Sequence, residues 1–220
     1  MMSLPVLPPW DDRQPFPPVE DALAAPDGLL AAGGSLRPPR LLAAYRHGIF
    51  PWYAEGDPIL WWSPDPRCVI FPEHLHIARR LHRRLRRAPF ELTRNAAFAA
   101  VVDACAQPRA GDHGTWILPE MAAAYVHMHE LGYATSFECW DGDDLVGGVY
   151  GIHLGRVFFG ESMFSRRSDA SKIALVTAAT AADIALIDCQ LATDHLQRLG
   201  AELIPRERFV ALLREHGAGL

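Results

Sequence analysis

The sequence predicts an α+β protein: a small N-terminal domain over residues 1–66, then a larger domain over residues 67–220 built on a mixed sheet. Two observations carry this expectation. Thirteen of the eighteen prolines and four of the six tryptophans (Trp10, Trp52, Trp61, Trp62) fall in the first 66 residues, the texture of a compact, loop-rich unit. Beyond residue 66 the apolar pattern switches between helical and strand periods. Three strand-like runs follow one another there, with hairpin signals at Asp141-Gly142-Asp143 and Leu154-Gly155, and a helix and a further strand come after them. An antiparallel meander followed by helix and strand makes an α+β or mixed-sheet domain.

The N-terminal domain is expected to hold a single helix, Leu36 to His47, with Ser35 as N-cap, Pro38 and Pro39 in the first turn, and Gly48 ending it. In the larger domain the periodicity predicts helices near 75–87, 95–106, 119–131, 169–184, 192–199 and 206–215. Strands are expected near 67–71, 134–140, 144–151, 154–160 and 186–190.

Composition bounds the function. The chain has 220 residues, half of them hydrophobic, and its mean hydropathy is +0.01. That is enough for a sizeable core. No apolar run approaches the roughly 18 residues of a membrane span, so no membrane partner is expected. The stretch MMSLPVLPPW lacks a basic region followed by an apolar one, so no secretory signal is read there. Cys68, Cys105, Cys139 and Cys189 lack the spacing of a zinc site or a disulfide framework and read as reduced cytosolic thiols. The net charge of −5 means that any nucleic-acid contact must come from a local patch.

Four stretches carry chemistry. In FFGESMFS (158–165) the carboxylate of Glu161 stands where an apolar strand runs out, and there it needs water or a cation. In HIARRLHRRLRR (76–87), Arg79, Arg80, Arg83, Arg84, Arg86 and Arg87 share one arc of a helix, opposite Ile77, Ala78, Leu81 and Leu85. A solvated amphipathic face is the bland reading. Six arginines with no interleaved acid repel one another, and a phosphate backbone would offset that repulsion. In LIDCQ (186–190), alternation sends Asp188 and Gln190 to one face and Ile187 and Cys189 to the other. Asp188 is either a cap for the next helix or half of a polar pair facing a site; if this strand neighbours the one bearing Glu161, two carboxylates and an amide converge. In SRRSDASK (165–172), a strand–loop–helix junction of the phosphate-cradling kind has Asp169 where a CoA-binding loop needs glycine. Lys172, the only lysine, is either a wanted ammonium or half of a helix-start salt bridge.

Weaker signals remain. GESMF is not a nucleophile elbow, because Phe164 replaces the second glycine. His74-x-His76 lies beside the arginines without an acid or Cys cluster, so no metal is expected. Trp52 and Trp116 are core residues by default and base-stacking platforms if RNA binds.

In order along nearly the whole chain, PDGLLAAGGSL (26–36), RHGIFPWY (46–53), ILWWSPDPR (59–67), GTWI (114–117), HELGYATSFE (129–138), LVGGVYG (145–151), FFGESMFSR (158–166), IDCQ (187–190) and DHLQRLGAELIPR (194–206) resemble the leucyl/phenylalanyl-tRNA–protein transferases. The resemblance implies a C-terminal domain like the acetyltransferase (GNAT) fold and no cofactor. It implies transfer of Leu or Phe, less readily Met, from Leu-tRNA or Phe-tRNA to cytoplasmic proteins or peptides with N-terminal Arg or Lys, which marks them for N-end-rule degradation. Carried onto this chain, Glu161, Asp188 and Gln190 hold the acceptor and serve catalysis. Glu161 is expected to pair with the cationic side chain, and Asp188 to orient Gln190 against the amine. The resemblance also implies that Trp52 and Trp116 hold the aminoacylated 3′ adenosine and that Val149, Met163 and Ile187 line an apolar side-chain pocket. The arginines at 79, 80, 83, 84 and 87 are the candidates for the tRNA backbone. The rival readings are a CoA-dependent N-acetyltransferase, which Asp169 argues against, and a non-catalytic RNA-binding module.

Overall fold

A computed structural model of the chain describes residues 4–108 and 117–220. Its elements form two sheets. The first is four-stranded, with β1 (Val6–Leu7), β2 (Leu29–Gly33), β3 (Phe50–Pro51) and β4 (Leu60–Trp62) in the order β1-β2-β4-β3. None of these strands was expected from the sequence, because two to five residues among prolines show no period. They are held by what lies at their centre. Trp61 is fully buried, and its indole N–H donates to the Gly33 carbonyl at 2.8 Å. Helix α1 (Pro38–Arg46) starts after Arg37, two residues later than the expected cap. Ser35 is diverted, donating its hydroxyl to Asp12 at 2.6 Å.

The second sheet has seven strands in the order β11-β5-β10-β9-β8-β7-β6. Strands β7 (Ala134–Asp141), β8 (Asp144–Leu154) and β9 (Val157–Ser165) form the expected meander, and β10 (Leu186–Gln190) runs parallel to β9 and antiparallel to β5 (Arg67–Ile70). The edge strands β6 (Glu91–Arg94) and β11 (Glu202–Ile204) are additions to the sequence reading; β6 is mostly polar and β11 has only three residues, too few to show an alternation.

Alternation splits the side chains between two faces. Val149 and Phe158 point into one core with α5 (Ala170–Ala179) and Leu81 of α2 (Arg79–Arg86). Tyr150 and Phe159 point into the other with α3 (Phe98–Ala106) and α4 (Pro119–Glu130). That second core also takes Tyr45, Ile49 and Phe50 from the first sheet's unit and Phe209, Leu212 and Leu213 of α7 (Arg206–Glu215), so the two sheets share it. Helix α6 (Asp194–Arg198) is a short turn capped by Thr193, whose hydroxyl accepts the Leu196 N–H.

Of the expected helices, α2 and α5 fall furthest short. Residues 75–78 do not join α2, because the His76 N–H is drawn to the Leu199 carbonyl at 2.9 Å. Helix α5 stops at Ala179, where the Thr180 hydroxyl bonds back to the carbonyls of Val176 and Thr177 and competes with continuation of the ladder.

The placement of Glu161 corrects the sequence reading. The strand does not run out there: β9 continues to Ser165. Opposite it, Tyr150 pairs with Ser162 and Gly151 with Gly160, so Glu161 is the extra residue of a β-bulge. The crossing is so close that a Cβ on Gly151 would strike the Phe159 carbonyl. Pairing of β9 with β10 ends at Phe159 and Asp188 while both strands continue, and a seam opens in the sheet at that point.

Candidate active site

A cavity of about 320 Å³ lies in that seam. Val149, Met163 and Ile187, the three residues expected to line an apolar pocket, all line it, and Leu175 of α5 and Leu196 of α6 add to the apolar wall. Trp52 forms part of the rim. It is 42% exposed, and its carbonyl accepts the Trp62 indole N–H at 2.6 Å, which holds the β3 end against β4. Trp116 lies outside the described residues.

Glu161 and Asp188 both reach the cavity wall, and their environments differ. Asp188 is fully buried and takes a two-pronged ion pair from Arg67, Nε to Oδ1 at 2.8 Å and Nη2 to Oδ2 at 2.7 Å. Arg67 is sandwiched by the rings of Phe50 (4.8 Å) and Phe209 (4.6 Å), and its Nη1 donates to the Gly48 carbonyl at 3.1 Å. Such a planar fork suits a buried carboxylate better than an ammonium would. Asp188 therefore does not cap the following helix. Its Oδ1 accepts the backbone N–H of Gln190 at 2.9 Å and holds that residue in the left-handed region, φ +62°. A non-glycine residue there is strained, and the strain is maintained by the partners around it.

Glu161 is 7% exposed and is met only by neutral donors among the described residues. Tyr45 Oη donates to Oε1 at 2.8 Å, Tyr125 Oη to Oε2 at 2.6 Å, and Gln190 Nε2 to Oε1 at 3.1 Å. Burial is the main reason its carboxyl is pushed up to about 7. The three hydrogen bonds pull the other way, and the charge of Asp188 pushes with burial. Tyr45 and Tyr125 lie 2.8 Å apart, oxygen to oxygen, and burial beside the carboxylate raises both phenols well above their ordinary value, so they remain donors.

The structure thus brings Glu161, Asp188 and Gln190 together. It adds Tyr45, Tyr125, Arg67 and Leu175, which the sequence did not single out. Tyr45 and Tyr125 sit on apolar helix faces and look like core residues. Arg67 did leave a signal, as a charge opening the apolar strand RCVI.

The arginine helix lies elsewhere on the surface. Arg79, Arg80, Arg83, Arg86 and Arg87 are exposed. Arg84 is not free in the same way: it lies over the Phe90 ring at 5.6 Å and 3.9 Å from Asp169. Lys172 is paired with Asp169 at 3.2 Å, the helix-start bridge that was its bland reading. His74 faces Glu202 at 2.6 Å, and no group of three metal-binding side chains occurs among the described residues. No described helix is long and apolar enough to cross a membrane.

Comparison with known proteins adds the lineage. Residues 69–214 match the family described as leucyl/phenylalanyl-tRNA protein transferase, and residues 34–65 match its N-terminal domain. The leucyl/phenylalanyl-tRNA–protein transferase of Aromatoleum aromaticum is 62% identical over 207 residues, covering 92% of this chain and 87% of its own length. That of Azoarcus sp. is 58% identical over 207 residues, covering 92% and 88%. That of Chromobacterium violaceum is 54% identical over 212 residues, covering 94% and 91%. Among solved structures, a GCN5-related N-acetyltransferase from Kribbella flavida aligns with TM-score 0.36 at 15% identity, over 73% of this chain and 57% of that one, a likeness too slight to argue from. The sequence relatives are of another order. They are more than half identical over nearly the whole chain, and their shared segments include the strands that hold Glu161 and Asp188, so the protein belongs to the leucyl/phenylalanyl-tRNA–protein transferases.

Proposed function

We propose that this protein moves leucine or phenylalanine, less readily methionine, from charged tRNA to the α-amino group of cytoplasmic proteins that begin with Arg or Lys, marking them for N-end-rule degradation. The observation that carries the reading is Glu161: of the two acids on the cavity wall, it is the one that no cationic side chain pairs among the described residues. Glu161 supplies the acceptor's counter-charge.

The donor side chain enters between Val149, Met163, Leu175 and Ile187. On this reading the N-terminal unit, residues 1–66, contributes Trp52, whose exposed face takes the terminal adenosine; the family resemblance gives Trp116 the same task. The exposed arginines Arg79, Arg80, Arg83 and Arg87 meet the tRNA backbone, and Arg84 contributes from a partly covered position. At the seam, the acceptor's neutral amine attacks the ester carbonyl carbon. The C–N bond forms, the bond to the ribose oxygen breaks, and the amine's proton ends on the released hydroxyl. An α-amino group titrates near 7.7–8.0, so a useful fraction is already neutral at cell pH. The protein's task is then largely positioning. With Gln190 Nε2 committed to Glu161, the Gln190 amide oxygen is left to accept from the amine, and Asp188 fixes the backbone that carries it.

The test compares Glu161→Gln and Asp188→Asn in steady-state transfer to Arg-starting and neutral-starting peptides. Glu161→Gln should lose roughly ten- to a hundred-fold in kcat/KM, the worth of a charge-assisted hydrogen bond, chiefly with Arg-starting acceptors. Asp188→Asn should lower kcat with both. Undiminished transfer to Arg-starting peptides by Glu161→Gln would make Glu161 purely structural and end this assignment.

A further inference from the structure

Beside the site lies a pair of thiols with no role in the transfer reaction. In the antiparallel pairing of β5 with β10, Asp188 opposes Val69 and Gln190 opposes Cys68, with an irregularity between them at Cys189. Alternation turns Cys68 away from Arg67 and Val69, and Cys189 away from Asp188, onto the face that carries Ile70 and Ile187. The two thiols stand close enough there for each to shift the titration of the other. Cys68 is buried, whereas Cys189 is half-buried and lines the cavity. Cys189 is the extra residue of that irregularity and lies beside Gln190 across from Cys68, on strands whose opposed Cα atoms are about 4.5–5.5 Å apart, near the about 4.4–6.8 Å that a disulfide spans.

We infer that Cys68 and Cys189 form a modification site, a reversible disulfide closed by a hydroperoxide that reaches Cys189 through the substrate cavity. The Cys189 sulfur attacks one peroxide oxygen: an S–O bond forms, the O–O bond breaks, and the departing hydroxide takes the thiol proton as water. Cys68 then attacks the Cys189 sulfur: the S–S bond forms, the S–O bond breaks, and a second water leaves with the Cys68 proton. The thiol pair gives up two electrons and the peroxide is reduced. Cys68 suits the second step: the neighbouring Cys189, and then the Arg67 charge, hold its thiol below the ordinary value against burial and the Asp188 charge. The same neighbour and burial push the Cys189 thiol well up, so Cys189 reacts first because it is the thiol that the cavity reaches.

The bond would act on the site through the backbone. Cys189 lies between Asp188, fixed by Arg67, and Gln190, held at φ +62°. Drawing Cys189 toward β5 rotates Gln190, breaks its contact with Glu161 and narrows the cavity, so transfer stops until the bond is reduced. This consequence for transfer rests on the reaction proposed above; formation of the bond does not.

The experiment treats reduced full-length protein with hydrogen peroxide, quenches with catalase, and digests a portion without reductant. A peptide joining the Cys68 and Cys189 segments, two hydrogens lighter than the sum of its constituents, is expected. Transfer from charged tRNA to an Arg-starting peptide should fall in proportion to the linked fraction and return with dithiothreitol. Cys68→Ala, with Cys68→Ser as a second variant should the first fold poorly, should transfer normally before treatment and show no linked peptide and no thiol-recoverable loss afterwards. Oxidation of Cys189 without the linked peptide, or undiminished transfer by linked protein, would overturn the inference. If reduced wild type transferred nothing, the proposed reaction would fail, and the linked peptide would still decide the disulfide.

Discussion

Replacing Glu161 by glutamine should make the protein more stable above neutral pH while impairing transfer. The carboxyl group titrates at 4.5 when free and is pushed up to about 7 in the fold, mainly by burial. The folded state therefore binds this proton more tightly than the unfolded state. The resulting stability is fully present below about pH 4.5 and is lost as pH rises through about 7. The gap between 4.5 and about 7, at about 1.4 kcal/mol per pH unit, comes to roughly 3 kcal/mol. Glutamine does not titrate, and the site accommodates it. Its amide oxygen can accept from Tyr45 and Gln190, its NH₂ can donate to Tyr125, and Tyr125 can then donate to Tyr45, 2.8 Å away. Urea unfolding of wild type and Glu161→Gln at pH steps from 4.5 to 8 should show their difference in unfolding free energy moving by about 3 kcal/mol in the variant's favour. Two parallel stability curves would refute the reasoning, since they would mean that Glu161 titrates in the fold as it does in the unfolded chain.

Arg67→Met should leave Asp188 as an unpaired buried charge and cost roughly 3–5 kcal/mol, read as a fall in Tm on the order of 10 °C. Charge reversal at Arg80 and Arg83, both exposed on one face of α2, should weaken charged-tRNA binding and reduce the salt slope of log K by nearly one per lost contact. An unchanged slope in a binding titration would return that helix to a solvated face. Met163→Ala enlarges the apolar wall and should shift preference among Leu, Phe and Met donors, with about 1–3 kcal/mol per methylene at stake, while acceptor choice stays the same. Competition between charged tRNAs measures the shift, and equal use of Ile and Leu by the wild type would rule out a shape-selective pocket.

The sequence made the meander legible because β7, β8 and β9 are long, apolar and separated by Gly turns. It also made Asp188 and Gln190 legible, as polar residues in an apolar strand. It concealed the first sheet, whose strands are too short to show a period, and the bulge at Glu161, which depends on the facing glycine rather than on β9 itself. Tyr45 and Tyr125 could not be read because a buried tyrosine shows its function only through its oxygen, and the partner of that oxygen is 116 or 36 residues away in the chain. Arg84 illustrates the limit of a helical wheel: the arc places it with its neighbours, but Phe90 and Asp169, contributed by other segments, draw it aside.

The guanidinium of Arg67 touches three regions of the molecule at once: the Gly48 carbonyl just before β3, the Asp188 carboxylate on β10, and the rings of Phe50 and Phe209. Trp52 follows Gly48 by four residues, and Gln190 follows Asp188 by two. On the function proposed above, one flat, rigid group works as an alignment pin between the Trp52 wall, assigned to the nucleotide, and the Gln190 wall, assigned to the amine. On that proposal, the gap between donor and acceptor is set by the dimensions of that group and not by the give of a loop, and a residue assigned to neither substrate determines how far apart they are held.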